Sequence, residues 1–231
     1  MFIRLFVKVI FLPFCLSFHL HNMPQVYQQN VNAFTRLGVW HIKEAEQYFL
    51  DRVPLQNNIT HPHKRLQHLA GRVLLKELFD DFPLELICIA DTRKPFLAAE
   101  TYHFSISHCG DYAAAIVSTH NRVGVDIEIP QMKIERILAK FLHTDELAIL
   151  DALDVEPLQA YTLAWSIKET IFKWYGAGEV NFKEHMKIIT CSMDENQFLA
   201  NCNFLKKGNI FVKVQGIFFN GNCLTWTTTE K

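Results

Sequence analysis

Apolar residues at spacings of three and four predict an amphipathic helix that ends just before Gly176. Its polar side carries Glu169 and Lys173, which are four residues apart and therefore lie on one face. Taken alone, such a pair is surface support worth about 0.2 to 0.5 kcal/mol of helix stability. The apolar stripe consists of Ala160, Leu163, Ala164, Ile167, Ile171 and Trp174.

The same spacing predicts shorter helices upstream. Residues 43–51 fit one helix, and residues 64–79 fit a longer one with a continuous apolar face. Residues 132–142 are also predicted to be helical. A helix restarts directly afterwards, and Thr144 is its expected N-cap because threonine hydroxyls accept hydrogen bonds from the first free N–H groups.

Alternation of apolar and polar residues predicts the strands. Residues 104–109 alternate and end at Gly110, and residues 113–119 are expected to pair back on them as a hairpin. After Gly176 the pattern becomes a series of strands joined by short turns, which predicts an antiparallel C-terminal sheet. The remaining predicted strands are 37–42, 122–130, 187–191, 197–205, 210–219 and 223–228.

The order of these elements repeats, because a strand, two helices and further strands follow residue 37 and again residue 123. This echo predicts an α+β fold of two pseudo-symmetric lobes, each with helices packed on a small, mainly antiparallel sheet. We expect an N-terminal lobe over residues 23–120 and a C-terminal lobe over residues 121–231. Ligands commonly bind between such lobes.

Residues 1–22 combine two basic residues with an apolar run that Pro13 interrupts. The run is too short to span a bilayer and no small-residue cleavage site follows it, so it resembles a signal peptide only in part. Met23 opens a segment of ordinary composition. We therefore expect translation to start at Met23, with residues 1–22 outside the fold.

Composition narrows the class of protein. The 231 residues are 49% hydrophobic and 20% charged, which suffices for a substantial core and excludes disorder as the overall state. A formal net charge of -1 argues against nucleic acid or an anionic membrane as the main partner. Six scattered cysteines without a C-x-x-C pair predict free thiols in the cytoplasm.

Two upstream segments carry cations. Arg65 and Arg72 lie on the predicted helix 64–79, where they form either a solvated basic face or a grip for phosphate. The second segment is a turn over residues 91–95 with Lys94 near its centre. With no global excess of positive charge, any anion site must be local.

Asp126 and Glu128 lie on one face of the strand at 122–130, opposite its apolar residues. Carboxylates two residues apart on a strand are about 6 to 7 Å apart at Cα, so both can reach one ion. Like charges this close repel unless a cation or exposure to solvent relieves them. The pair therefore fits either a metal site or a solvent-facing edge.

With Glu169, these carboxylates form a set of hard oxygen ligands that suits Mg²⁺, which commonly bridges carboxylates to substrate phosphates. Lys173, Lys94 and His108 would bring positive charge to the other phosphate oxygens and stabilise a departing phosphate. The residues alone therefore indicate a Mg²⁺-phosphate site in which catalysis is mostly positioning and charge neutralisation.

Three motifs follow one another along the chain: Phe104-Ser-Ile-Ser-His108-Cys-Gly110, Val123-Gly-Val-Asp126-Ile-Glu128, and Trp165-Ser-Ile-Lys168-Glu169 with Lys173 four residues on. In this order they closely resemble the motifs of the Sfp-type 4'-phosphopantetheinyl transferases, and the resemblance covers most of residues 37–185. Gly71-Arg72 and Lys94-Pro95 are looser matches to the family's phosphate-binding elements. The chain departs from the family at Cys109, where serine or threonine is more common, and at Arg93, where glycine often precedes the Lys-Pro pair.

The resemblance implies that coenzyme A binds between the lobes and that a serine of an acyl or peptidyl carrier protein attacks its β-phosphate. The products would be holo-carrier protein and 3',5'-ADP. Asp126, Glu128 and Glu169 would hold Mg²⁺, and Glu169 would also deprotonate the serine, directly or through water. Lys173 would neutralise the pyrophosphate and protonate the leaving oxygen. The implied coenzyme A contacts are Lys94, Ser107, His108, Lys173, Arg65 and Arg72, and His108 joins Glu169 and Lys173 as a catalytic residue.

Two other functions stay open. Three carboxylates and a lysine could activate water as a nucleophile as readily as a serine hydroxyl, as in a Mg²⁺-dependent phosphodiesterase or nucleotide hydrolase. A non-enzymatic protein would bind coenzyme A or a carrier protein without transfer, although it would be free to lose Asp126, Glu169 or Lys173. Two lobes in one chain also predict that a monomer contains the whole site.

Overall fold

A computed structural model describes residues 25–55 and 59–230 of the chain. It has antiparallel sheets and several helices, which confirms the predicted α+β class. The expectations for residues 1–22 lie outside the described residues, and the division into lobes at residue 120 stays a prediction.

The predicted helices and strands occur in the predicted order, and the structure adds strands at residues 25–32, 87–89 and 95–97 and a short helix at 182–185. None of the helices in the described ranges has the length and apolar composition needed to cross a bilayer. Residues 84–86 and 132–137 form 3-10 helices. The α-helices are α1 (Glu46–Leu50), α2 (Pro62–Leu78), α3 (Leu138–Phe141), α4 (Thr144–Asp151), α5 (Pro157–Tyr175) and α6 (Phe182–His185). The strands are β1 (Gln25–Asn32), β2 (Thr35–His41), β3 (Ile87–Ile89), β4 (Pro95–Leu97), β5 (His103–Cys109), β6 (Tyr112–Ser118), β7 (Arg122–Glu128), β8 (Met186–Asp194), β9 (Gln197–Phe204), β10 (Ile210–Phe219) and β11 (Asn222–Thr229).

Two antiparallel sheets carry the core. The first has the order β1-β2-β6-β5 and the second the order β7-β11-β10-β9-β8, while β3 and β4 form a separate hairpin. Helix α2 packs its apolar residues on the first sheet, and α5 packs on the second. A third cluster joins apolar residues of both sheets, among them Leu37, Ile116, Val125 and Leu224. The sheets therefore bury apolar side chains on both faces.

Helix α5 lies close against β7. All six residues of its predicted apolar stripe are buried, and Gly176 ends the helix in the left-handed conformation with φ of 74°. Gly124 on β7 permits the close approach, because a side chain there would overlap the carbonyl of Thr170 and the backbone of Trp174. This contact places the polar side of α5 beside the polar residues of β7.

Strands β5 and β7 lie side by side at the junction of the two sheets, joined by serine side chains. The hydroxyl of Ser105 accepts the Val125 N–H at 3.2 Å, and that of Ser107 accepts the Ile127 N–H at 3.3 Å. These pairings run in the same direction along both strands. The hydroxyls thereby satisfy buried N–H groups of β7.

A fully buried ion pair holds the small helices to α5. Lys168 Nζ lies 2.8 Å from Glu146 Oε1, and both side chains are 0% exposed. Each charge also has backbone partners, as buried charges require. Lys168 donates to the carbonyls of Phe141 and Phe182, and Glu146 accepts the N–H groups of His143 and Ile188.

Some predicted elements differ in the structure. Residues 132–142 are not one α-helix: a 3-10 helix precedes α3, and Ile134 is its one buried residue, which gives little apolar anchoring. The predicted N-cap Thr144 is wrong, since Thr144 begins α4 and His143 is the N-cap. There the Glu146 carboxylate accepts the N–H of His143 at 2.8 Å.

We expect Lys168→Met to lower the free energy of unfolding by about 3 to 5 kcal/mol, because it leaves the Glu146 carboxylate buried without its cation. Urea unfolding followed by circular dichroism measures this loss. The matched control is Lys187→Met, which breaks a more exposed pair with Asp145 (2.9 Å) and should lower the free energy of unfolding much less, because solvent screens that pair. Equal losses in the two variants would contradict a structural role for the buried pair.

Candidate active site

Asp126 is the central carboxylate of the site, where β5, β7 and α5 meet. It is 2% exposed and accepts three hydrogen bonds. Lys173 Nζ and Ser107 Oγ donate to Oδ1 at 2.6 and 2.8 Å, and Ser166 Oγ donates to Oδ2 at 2.8 Å. Because the donors come from β5 and α5, this carboxylate links the first sheet to the helix of the second.

Lys173 forms its ion pair with Asp126 and not with its helical neighbour Glu169. The ammonium group also donates to Ser107 Oγ at 2.7 Å, and the side chain remains 25% exposed. Within the described part of the chain, Glu169 has no ion pair of its own. The i,i+4 pair of the sequence is therefore split by a tertiary contact.

Glu169 and Glu128 stand beside Asp126 as further half-buried carboxylates. The pKa of Glu169 is raised to about 7, chiefly by burial; the charge of Lys173 opposes this shift, and the charges of Asp126 and Glu128 contribute to it. Burial and the charge of Asp126 also raise the pKa of Glu128. Glu128 accepts hydrogen bonds from Trp165 Nε1 at 3.2 Å and Cys109 Sγ at 3.5 Å.

His108 lies at the exposed end of β5, next to a second group of basic residues. Partial desolvation and the charge of Lys173 lower the pKa of His108. Its neighbour His68 on α2 accepts a hydrogen bond from Arg72 Nη1 at 3.2 Å. Burial lowers the pKa of Arg72 to about 10. The structure thus brings His108 and Arg72 to the same edge of the site.

Lys94 closes the site at the C-terminus of α5. Its ammonium group donates to the carbonyl of Lys173 at 2.5 Å, where the helix presents unpaired carbonyls. Burial, and secondarily the charge of Arg122, lower the pKa of Lys94 to about 8. Lys94 and Lys173 both line a cavity of about 210 Å³ together with Ile106 and Phe172.

Two predicted contacts have other partners in this structure. Arg65 lies on α2 and forms a two-pronged pair with Glu46 of α1, at 2.8 Å to each carboxylate oxygen. Ser107 uses its full hydrogen-bonding capacity, because it donates to Asp126 and accepts from Lys173 and the Ile127 N–H. The roles of both residues toward coenzyme A stay predictions.

The predicted metal ligands lie near one another, but their carboxylates are not arranged around one common point. In the described part of the chain, no three carboxylate, histidine or cysteine side chains are arranged as a ready metal site. The three side chains still fit a hard divalent cation, because all of them offer carboxylate oxygens. The charges of Asp126 and Glu128 help to raise the pKa of Glu169, which shows that the three carboxylates lie close together. The assignment of Asp126, Glu128 and Glu169 as metal ligands stays a prediction.

Sequence reasoning gave no role to two residues that hold the carboxylates. Ser166 donates to Asp126 and Trp165 donates to Glu128. Both lie in the third motif, within three positions of Lys168, and this position in the motif was the available signal. Lys168, the third unassigned residue of that motif, is structural.

A family model and several known proteins that match this chain point to the same family. Residues 122–221, which carry the second and third motifs, match the family model described as the 4'-phosphopantetheinyl transferase superfamily. Enterobactin synthase component D of Salmonella austin is 36% identical over 111 residues, which are 48% of this chain and 47% of that protein. The chain thus spans about half the length of that relative.

A longer match exists to the 4'-phosphopantetheinyl transferase AcpT of Escherichia coli O157:H7. It is 30% identical over 150 residues, which are 60% of this chain and 75% of AcpT. Given this coverage and the family match over residues 122–221, the chain belongs to the 4'-phosphopantetheinyl transferase superfamily.

Proposed function

We propose that this protein transfers the 4'-phosphopantetheine group of coenzyme A to a serine of an acyl or peptidyl carrier protein, giving holo-carrier protein and 3',5'-ADP. One observation carries the proposal. Lys173 Nζ lies 2.6 Å from the buried Asp126 carboxylate, while the Glu169 carboxylate beside them has no hydrogen-bonding partner in the described part of the chain. Lys173, a cation that can bind phosphate, and Glu169, a carboxylate that can accept a proton, therefore lie close together.

The reaction exchanges one P–O bond for another. The serine oxygen bonds to the β-phosphorus while the bond from that phosphorus to the bridging oxygen breaks. Glu169 takes the serine proton, directly or through a water molecule. Lys173 neutralises the pyrophosphate and supplies a proton to the leaving oxygen, and its 25% exposed side chain lets it turn from Asp126 to the ligand.

Asp126, Glu128 and Glu169 would hold Mg²⁺, which when bound supplies charge neutralisation on the phosphate oxygens. This assignment is supported by the chemistry of the three side chains, since carboxylate oxygens are ligands that Mg²⁺ prefers. Positive or hydrogen-bonding groups for the phosphates of coenzyme A come from His108 and Arg72 at one edge of the site and from Lys94 at the C-terminus of α5. Ser107 and Arg65 complete the proposed set.

We further propose that the protein acts as a monomer in the cytoplasm. One chain brings together all the proposed catalytic residues, so no second copy is required by the geometry. All cysteines in the described residues are free thiols, which suits a reducing compartment.

Incubation with coenzyme A, Mg²⁺ and an apo-carrier protein should raise the mass of the carrier by one phosphopantetheine group, as measured by intact-protein mass spectrometry. This increase is expected because the carrier serine becomes covalently bonded to the phosphopantetheine group. Release of nucleotide without a carrier would instead favour the hydrolase. No adduct with any of several acyl and peptidyl carriers would contradict the transferase.

Glu169→Gln should lower the transfer rate by about 10²- to 10⁴-fold, because it removes the proton acceptor while keeping the side-chain shape. Coenzyme A affinity, measured by calorimetry, should change little. The matched control Glu135→Gln alters an exposed carboxylate in the 3-10 helix and should leave the rate unchanged. Near-wild-type turnover in Glu169→Gln would show that another group accepts the proton.

Chelation of divalent cations with EDTA should abolish transfer, and added Mg²⁺ should restore it. Thermal unfolding of the chelated protein should match that of the untreated protein, because the described fold is held by apolar packing and the Lys168–Glu146 pair. Full activity in excess EDTA would overturn the assignment of Asp126, Glu128 and Glu169 as metal ligands.

A further inference from the structure

A cluster of buried hydroxyl groups lies behind Asp126. Ser166 and Thr170 on α5 and Thr225 on β11 are all 0% exposed. Thr225 is the register partner of Asp126 across β11 and β7. The proposed chemistry uses none of these hydroxyls, yet buried hydroxyls are costly unless each finds a partner.

The hydrogen bond from this cluster to Asp126 has a fixed direction. An ionised carboxylate only accepts, so Ser166 Oγ donates its single proton to Asp126 Oδ2 at 2.8 Å. Ser166 can then only accept from Thr225, whose Oγ1 lies 2.9 Å from Ser166 Oγ and 3.0 Å from the Ser166 carbonyl. Thr170 Oγ1 lies 2.5 Å from Thr225 Oγ1. Thr225 has one proton, which either Ser166 oxygen can accept, and Thr170 Oγ1 also reaches the Thr225 carbonyl at 3.3 Å. These distances permit a run of donors from Thr170 through Thr225 and Ser166 to Asp126.

This relay constrains one side of the carboxylate. Oδ2 faces the buried hydroxyls, whereas Oδ1 faces Ser107 and the partly exposed Lys173. A carboxylate held at one oxygen by a supported donor cannot rotate freely about its last bond. Groups that orient a ligand in this way commonly change metal affinity when they are removed.

We propose that Thr225 is a positioning residue which, acting through Ser166, holds Asp126 in the orientation that binds a divalent cation. The inference rests on the proposed function in one respect, namely that Asp126 is a metal ligand. Thr225 lies 99 residues after Asp126 in the chain and 59 after Ser166, outside all three motifs.

Thr225→Val removes the hydroxyl and keeps the size of the side chain. We expect the apparent Kd for Mn²⁺, measured by electron paramagnetic resonance with coenzyme A present, to rise about 10- to 100-fold. The KM for Mg²⁺ in the transfer reaction should rise with it, while kcat at saturating Mg²⁺ stays close to the wild-type value.

Two variants separate positioning from a general loss of stability. Thr227→Val removes another buried hydroxyl of β11, which donates to the Lys213 carbonyl at 2.6 Å, and it should leave Mn²⁺ affinity unchanged. Thr225→Ser keeps the hydroxyl and should restore wild-type affinity. If Thr225→Val does not fold, Thr225→Ala is measured in the same way.

A double-mutant cycle tests the route through Ser166. Ser166→Ala should weaken Mn²⁺ binding at least as much as Thr225→Val, and the double variant should be no weaker than Ser166→Ala alone. Additive losses would overturn the relay. Equal Mn²⁺ affinities of Thr225→Val and Thr227→Val would overturn the inference alone, whereas no Mn²⁺ binding by the wild-type protein would overturn it together with the metal assignment.

Discussion

Hydrogen bonds from serine side chains join the two sheets where β5 and β7 run side by side. Ser105 and Ser107 accept N–H groups of β7 that backbone carbonyls would accept in a continuous sheet. A hydroxyl, unlike a carbonyl, also carries a proton, so Ser107 can donate to Asp126 while it accepts from β7. The junction therefore stabilises a buried carboxylate at the seam between the sheets, and the rest of the site is arranged around that carboxylate.

Two lysines of α5 show how one helix serves both the core and the site. Lys168 is fully buried against Glu146 and holds the small helices in place, whereas Lys173 lies at the open seam against Asp126. Five residues separate them, so they project from different sides of the helix. The carboxylates show a similar contrast, because Asp126 accepts three hydrogen bonds, whereas the Glu169 carboxylate accepts none in the described part of the chain. Glu169 is accordingly the carboxylate that we propose as the proton acceptor.

Local spacing predicted most of the fold, because most of its elements bury a face with a regular period. The stripe of α5, the β5–β6 hairpin and the four C-terminal strands follow this rule. Strand β1 is rich in glutamine and asparagine, and the strands of the β3–β4 hairpin have three residues each. Pairing with neighbours stabilises these strands, so their own residues carry little signal.

The sequence by itself determined the helix that carries Glu169 and Lys173 and, through the family resemblance, predicted the residues of the site. Only the tertiary structure decided their partners. Lys173 pairs with Asp126 because α5 approaches β7 over Gly124, and Thr225 faces Asp126 because β11 pairs with β7. The physical reason is that spacing along a chain fixes which side chains share a face, whereas a hydrogen bond between distant residues depends on how those faces pack.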